Sequence, residues 1–193
     1  MTRDEAYQLL TKHLSNKNLI KHSLAAEAAM KAIYKHITPE AEQNNNDVTK
    51  WGITGLLHDV DYEHAQNEDK LDHHGTFIGV PEKADLPEDI AHAIQSHAYE
   101  YSKVMPESSL DWGITAADQL TGLITACALV RPDKKLASVD TAAVMKKFGQ
   151  KAFAAGADRE MIKHCESKLD IPLETFVDIV LHSMQDIHED LGL

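Results

Sequence analysis

The sequence predicts an all-α fold, a single-domain helical bundle. Apolar residues recur at intervals of three and four along most of the chain, and helix-starting and helix-ending residues bound these stretches. No alternating strand pattern of useful length occurs. At 193 residues and 43% hydrophobic content, the chain is long and apolar enough for one core. We therefore expect one all-helical domain over residues 1–193.

The helical periodicity divides the chain into segments separated by polar or Gly-containing turns. The predicted helices cover about residues 3–14, 19–36, 47–58, 87–97, 110–130, 138–148, 158–169 and 172–191. A further short helix is possible between Leu71 and Val80, in a polar and irregular region. Residues 15–18 are polar and are expected to form a non-helical segment between the first two helices.

Local capping signals support the helices of the N-terminal part. Thr2 followed by Glu5 is typical of a capping box at the first helix. Asp47 is the expected N-cap of the third helix, which ends in Gly55-Leu56-Leu57-His58-Asp59. Glycine in a helix costs about 1 kcal/mol relative to Ala, so Gly55 predicts the close approach of another helix or of a ligand.

Similar signals bound the later helices. Pro87 is expected at the first position of the fourth helix, with acidic residues following in its first turn. Ser108 or Ser109 caps the next and most apolar helix, which Arg131-Pro132 ends. Gly149 and the later Gly156 indicate the turns between the helices of the last third.

Charge and composition exclude several classes of protein. The formal net charge of −12 argues against binding a nucleic acid polymer, which requires clustered Lys and Arg. Cys127 and Cys165 are too few and too far apart for a disulfide framework, so we expect reduced, buried thiols. The first residues do not resemble a signal peptide, and no apolar run is long enough to cross a membrane. A cytoplasmic protein that does not bind membranes is therefore expected.

Six polar side chains are expected to face the interior, and they come from five separate segments. They are His22, His58, Asp59, His74, His97 and Asp118. A buried carboxylate such as that of Asp118 is costly unless a cation or a network of donors accompanies it. A lone helical His is more often a core residue, but imidazoles and carboxylates together suit Zn, Mn, Fe, Co or Ni better than Ca. The set predicts a divalent transition metal site with one or two ions.

The order of these residues resembles the HD superfamily of metal-dependent phosphohydrolases. The resemblance rests on three segments over about residues 18–130: Lys21-His22-Ser23, Leu56-Leu57-His58-Asp59 and Ala116-Ala117-Asp118-Gln119-Leu120. It implies a helical bundle of the HD-domain type with its metal-binding core in this region. Residues 131–193 would then form covering helices, which could also provide a homodimer face.

Two further segments, His74-Gly75 and Ala93-Ile94-Gln95-Ser96-His97, resemble the additional histidines of HD proteins that hold two metals. By this resemblance, His22, His58, Asp59 and Asp118 would surround one ion. His74 and His97 would complete the second site, with Asp59 bridging the two ions. His73 remains an alternative to His74, since only the glycine after His74 favours the latter.

The resemblance implies hydrolysis of a small phosphorylated compound, such as a nucleotide or nucleotide derivative, by a metal-activated water. His58 and Asp59 would be the catalytic pair. Two alternatives stay open: a di-iron oxygenase of the same superfamily, and a non-catalytic ligand-binding domain. Metal identity and a requirement for oxygen would separate the oxygenase from the hydrolase.

Selectivity is expected to come from residues outside the metal ligands. Candidate phosphate contacts are the basic residues Lys103, Arg131 and Lys147, because Lys and Arg are the usual donors to phosphate oxygens. Tyr99 and Tyr101 follow His97 closely and could line the entrance of a pocket. Basic residues more often belong to a solvated surface, and ordinary packing would explain the two tyrosines equally well.

Overall fold

The computed structural model describes residues 1–67, 74–77 and 79–193, and within these ranges it contains helices and no strand. The helices are α1 (Arg3–His13), α2 (Lys17–Ile37), α3 (Asn45–Leu57), α4 (Tyr62–Asn67), α5 (Glu88–His97), α6 (Tyr99–Ser102), α7 (Ser109–Leu129), α8 (Thr141–Phe148), α9 (Arg159–Leu169), α10 (Leu173–Asp186) and α11 (His188–Leu191). Short 3₁₀ turns cover Glu40–Glu42, Pro81–Asp85 and Leu136–Ser138. The predicted all-α class is confirmed.

Side-chain caps explain where several helices begin. The Thr2 hydroxyl accepts the backbone N–H of Glu5, and the Glu5 carboxylate accepts the N–H of Thr2, so the predicted capping box is present. Ser108 forms a second capping box at α7, with Asp111. Pro87 is the N-cap of α5 and not its first helical residue, one position from the prediction.

Two predicted helix starts were wrong because asparagines cap the helices earlier. The Asn16 side chain accepts the N–H of Asn18, so α2 already begins at Lys17 and the predicted break is shorter. The Asn44 side chain accepts the N–H of Asp47 and therefore caps α3. Asp47 lies in the first turn, where its carboxylate accepts a hydrogen bond from the Asn44 amide. Asn and Asp are equally good N-caps, so composition alone does not decide between them.

Other differences concern short elements. The sequence did not predict α4 or α6, which are only six and four residues long. Residues 74–77 form a turn and not a helix, while residues 71–73 and 78 of the predicted segment lie outside the described ranges. Asp140 caps α8, so the helix predicted from residue 138 begins later. The last predicted helix is interrupted at Ile187, between α10 and α11.

Helix α2 lies at the centre of the fold. It packs against α3, α7 and α10, while α5 contacts both α3 and α7. One apolar cluster joins α2 and α7 to α8, α9 and α10, and a second joins α1, α3 and α5. Cys127 and Cys165 are buried and free. In the described part of the chain, no helix combines the length and the apolar character needed to cross a membrane.

Candidate metal centre

The predicted polar residues are carried by three helices and two turns. His22 lies in the second turn of α2, and His97 is the last residue of α5. His58 is the C-cap of α3, directly after its last residue, and Asp59 follows in the turn before α4. Asp118 lies in the middle of α7. His74 belongs to the turn at residues 74–77, whereas His73 lies outside the described residues.

A glycine allows α2 and α3 to approach closely. A Cβ atom added to Gly55 would lie 2.4 Å from the backbone oxygen of Ala26 and 2.6 Å from its carbonyl carbon. Contacts this short require a backbone to move, so residue 55 must lack a side chain for the two helices to pack as they do. The predicted close approach at Gly55 is therefore present, and it brings His22 near His58.

His22, His58 and Asp118 converge on one point. Asp118 Oδ1 lies 2.8 Å from His22 Nε2 and 3.5 Å from His58 Nε2. The two imidazole Nε2 atoms are 3.2 Å apart. Asp59 Oδ2 lies 3.4 Å from His58 Nε2 and 3.7 Å from His22 Nε2. Two imidazole nitrogens and two carboxylates thus surround a volume small enough for one ion.

Asp59 also faces a second group of histidines. Its other oxygen, Oδ1, lies 3.6 Å from His97 Nε2, and the rings of His74 and His97 are 5.7 Å apart. Donor atoms of Asp59, His74 and His97 all lie within 4.8 Å of one another, as do those of His22, His58 and Asp59. Both groups could hold a metal ion, and the Asp59 carboxylate belongs to both.

The orientation of two imidazoles favours a cation. His58 Nδ1 lies 2.8 Å from the carbonyl oxygen of Gly55, and His97 Nδ1 lies 2.5 Å from that of Ile94. In a neutral imidazole, Nδ1 is then the donor, and the lone pair of Nε2 faces the carboxylates. His97 Nε2 is buried and has no hydrogen-bond partner. Lone pairs directed at carboxylates repel them unless a metal ion or a proton lies between, so the donor set fits a metal.

The electrostatics of the cluster indicate the same preference for positive charge. Burial acts to lower the pKa of His58, but Asp59 and Asp118 raise it well above the ordinary value for histidine. Burial likewise acts to raise the pKa values of Asp59 and Asp118, but the neighbouring histidines hold both well below the usual range. The carboxylates therefore remain ionised and attract a cation to the point where the histidines meet.

Asp61 holds the turn that carries His74. Its Oδ1 accepts the backbone N–H of Gly75 at 2.9 Å, and both residues are buried. The Tyr62 ring lies near that of His74, with ring centroids 5.9 Å apart. The segment that follows the His-Asp pair therefore places His74 next to that pair.

Two neighbours of Asp118 support the site, and the sequence did not single them out. The Gln119 amide donates to Asp118 Oδ2 at 2.6 Å and accepts the backbone N–H of Asp158 at 2.9 Å. The Thr121 hydroxyl donates to the Asp118 carbonyl and lies 3.4 Å from His22 Nδ1. Polar contacts of this kind orient metal ligands. The available signal in the sequence was their position: Gln119 directly follows Asp118, and Thr121 lies about one helical turn beyond it.

Cavities border the cluster. One of about 300 Å³ is lined by His74, His97 and Asp118, and the predicted Tyr99 and Tyr101 also line it. Another, of about 340 Å³, is lined by His22, Asp118 and Gly156. These two cavities therefore reach four of the candidates, whereas the buried His58 and Asp59 line neither of them.

The predicted phosphate contacts lie elsewhere. Lys103, Arg131 and Lys147 line neither of these cavities. The ammonium group of Lys103 contacts the Glu100 carbonyl, and that of Lys147 lies 4.5 Å from the centre of the Phe153 ring. Their role as substrate contacts stays a prediction that the cavities do not support.

Comparisons of the chain with protein-family models, with curated proteins and with solved structures found no match.

Proposed function

We propose that the protein is a metal-dependent phosphohydrolase of the HD type that acts on a small phosphorylated compound, such as a nucleotide or nucleotide derivative. One observation carries the proposal: each oxygen of the Asp59 carboxylate faces a different group of histidines, His22 with His58 on one side and His97 on the other. A carboxylate shared between two nitrogen-rich groups is suited to holding two ions close together.

In this proposal His22, His58, Asp59 and Asp118 hold one ion, and Asp59, His74 and His97 hold the other. When bound, such ions lower the pKa of a coordinated water and neutralise charge on a phosphoryl group. The chain's own residues orient the ligands. The carbonyls of Gly55 and Ile94 fix the two buried imidazoles, and Gln119 holds the Asp118 carboxylate.

The experiment is a panel of phosphomonoesters and phosphodiesters, with the protein loaded separately with Mn, Co, Ni, Zn or Fe(II). We expect metal-dependent release of phosphate or of a phosphomonoester. His58→Ala and Asp59→Ala should lose activity by more than about a hundredfold, because each removes a ligand. His36→Ala changes an exposed histidine of the same helix as His22 and serves as the matched control.

The same donor set would also suit a di-iron oxygenase, because four histidines and two carboxylates supply nitrogen and oxygen ligands for iron. Oxygen consumption that requires iron, together with no hydrolysis by any metal form, would favour that alternative and contradict the phosphohydrolase. Ligand binding without turnover in every metal form would instead indicate a non-catalytic domain.

A further inference from the structure

The loop between α8 and α9 borders the metal centre from the C-terminal part of the chain. We define the 150–158 loop by these residue numbers. Three of its residues line the cavity of about 340 Å³ that reaches His22 and Asp118, namely Ala154, Gly156 and Ala157. Gly156 and Asp158 also line the cavity of about 300 Å³ on the side of His97. The 150–158 loop therefore forms part of the wall of both cavities next to the metal centre.

Arg159 holds this loop. It is the first residue of α9, and its guanidinium group donates to the backbone carbonyls of Phe153, Ala154 and Ala157. The distance to the Ala154 carbonyl oxygen is 2.6 Å. A guanidinium group can contact several carbonyls at once because its N–H groups point in different fixed directions. One side chain thus fixes three peptide groups of the 150–158 loop.

The backbone of the loop shows that it needs such a contact. Ala154 has a φ angle of 45°, in the left-handed region that alanine rarely adopts because of its Cβ atom. A residue stays in this region only where the surrounding structure determines its conformation. Arg159 contacts the carbonyl of this residue and that of Phe153 directly before it. We therefore ascribe the conformation of the loop to Arg159.

Hydrogen bonds connect the 150–158 loop to a metal ligand. The backbone N–H of Asp158, directly before Arg159, donates to the side-chain oxygen of Gln119 at 2.9 Å. The Gln119 amide donates in turn to Asp118 Oδ2 at 2.6 Å. The other oxygen of Asp118 lies 2.8 Å from His22 Nε2. The contacts of Arg159 thus continue, without a gap, to the residues that could hold the first ion.

We propose that Arg159 is a positioning residue of the metal centre. It holds the 150–158 loop so that the loop keeps Gln119 in contact with Asp118. This inference rests on the metal centre of the proposed function and not on hydrolysis. Because coupling between two sites is reciprocal, an ion held by Asp118 should in turn hold the loop in place. Helix α9, which packs on α7, is thereby connected to metal binding.

Calorimetric titration with Mn, at a temperature at which every variant is folded, tests this chain of contacts. Gln119→Ala and Arg159→Ala should each weaken the binding of one Mn ion about tenfold, as is usual when a contact that orients a metal ligand is removed. The double variant should also lose about tenfold and not about a hundredfold, because both residues act through the same contact. Lys163→Ala is the matched control. It removes a positive charge of the same helix that is paired with Glu160, and it should leave Mn affinity unchanged.

Trypsin cleavage after Lys151, which is exposed and lies in the 150–158 loop, reports on the loop itself. Mn should slow this cleavage in the unchanged protein by about fivefold. Arg159→Ala and Gln119→Ala should lose most of this protection, and Lys163→Ala should keep it. Cleavage after Lys135, an exposed residue between α7 and α8, should not depend on Mn. Gln119→Ala leaves the contacts of Arg159 intact and provides the same test if Arg159→Ala does not fold.

The outcomes separate this inference from the proposed function. A hundredfold loss in the double variant, equal effects of Arg159→Ala and Lys163→Ala, or cleavage after Lys151 that does not depend on Mn would overturn the inference. A shared tenfold loss together with Mn-dependent protection would support it. An unchanged protein that binds no Mn would refute the metal centre, and the inference with it. If the expected coupling is found but no phosphate ester is hydrolysed, the inference stands and hydrolysis is the part that fails.

Discussion

At the scale of single residues, the site depends on contacts between side chains and nearby backbone. His58 and His97 each contact the carbonyl three residues earlier, and both therefore direct Nε2 at the Asp59 carboxylate. Without these contacts, either Nδ1 or Nε2 of each imidazole could face the carboxylate. The tautomer needed for a metal ligand is thus set by the last turn of the helix that carries each histidine.

Asp61→Ala should loosen the turn that carries His74. The substitution leaves the buried N–H of Gly75 without its Asp61 acceptor, and we expect a loss of about 1–3 kcal/mol in the free energy of unfolding. Urea denaturation measures this loss, and metal analysis of the same samples should show lower occupancy. Asp61→Asn keeps a carbonyl oxygen in place and should lose less. Equal stability of Asp61→Ala and the unchanged protein would contradict the role given to Asp61.

At the scale of helices, the distance between α2 and α3 sets the distance between His22 and His58. Gly55→Ala should separate these helices, because the added Cβ would overlap the backbone at Ala26. We expect a loss of about 1–3 kcal/mol in the free energy of unfolding and weaker metal binding. Thermal denaturation with and without Mn measures both effects.

Gly52→Ala is the matched control for Gly55→Ala. It adds the same methyl group to the same helix, but there the nearest atoms belong to the Lys31 side chain, which can shift without moving a backbone although it bonds Glu27. It should lower stability less than Gly55→Ala does and leave metal binding unchanged. Equal losses of unfolding free energy and of metal binding in the two glycine variants would contradict the claim that the close approach at Gly55 sets the geometry of the site.

The helices could be predicted where the signal was local. Thr2 and Ser108 are capping residues whose partners lie three positions away; the sequence predicted Thr2 with Glu5, and it indicated Ser108 as one of two alternatives with Ser109. Sequence reasoning failed where two residues compete for one role, as Asn44 and Asp47 do. It also missed α4 and α6, because one or two helical turns carry too little periodicity to detect.

The convergence of the site residues depends on tertiary packing at the scale of the whole molecule. The set of six residues was predicted from helix faces and from the HD resemblance, but the distance between His22 and Asp118, separated by 96 positions, follows only from the packing of α2 on α7. Lys103, Arg131 and Lys147 were chosen by charge alone, which does not indicate where a side chain lies.

The stability of the whole molecule should depend on pH through Glu27, which joins α1 to α2. Burial acts to raise the pKa of Glu27, but hydrogen bonds from Arg3 and Lys31 lower it below its usual range. The ionised carboxylate therefore stabilises the fold above about pH 4.5, its value in the unfolded chain, and this contribution disappears as the pH falls through the lower folded value.

Glu27→Gln tests this dependence. The variant should lose about 1.5–3 kcal/mol in the free energy of unfolding at pH 7, because charge-assisted hydrogen bonds are replaced by neutral ones. The difference from the unchanged protein should shrink below about pH 4.5. Urea denaturation from pH 7 to pH 3 measures it, with Glu40→Gln at an exposed site as control. A difference that stays constant over this range would contradict the assignment.

The most direct test of the central claim is the number of metal ions bound per chain. After Mn loading and removal of free metal, elemental analysis should find up to two ions in the unchanged protein. It should find about one in His97→Ala and fewer in Asp59→Ala, because Asp59 belongs to both groups of ligands. His36→Ala should bind as many ions as the unchanged protein. No bound metal in the unchanged protein, or equal metal content in all variants, would contradict a metal centre at this cluster.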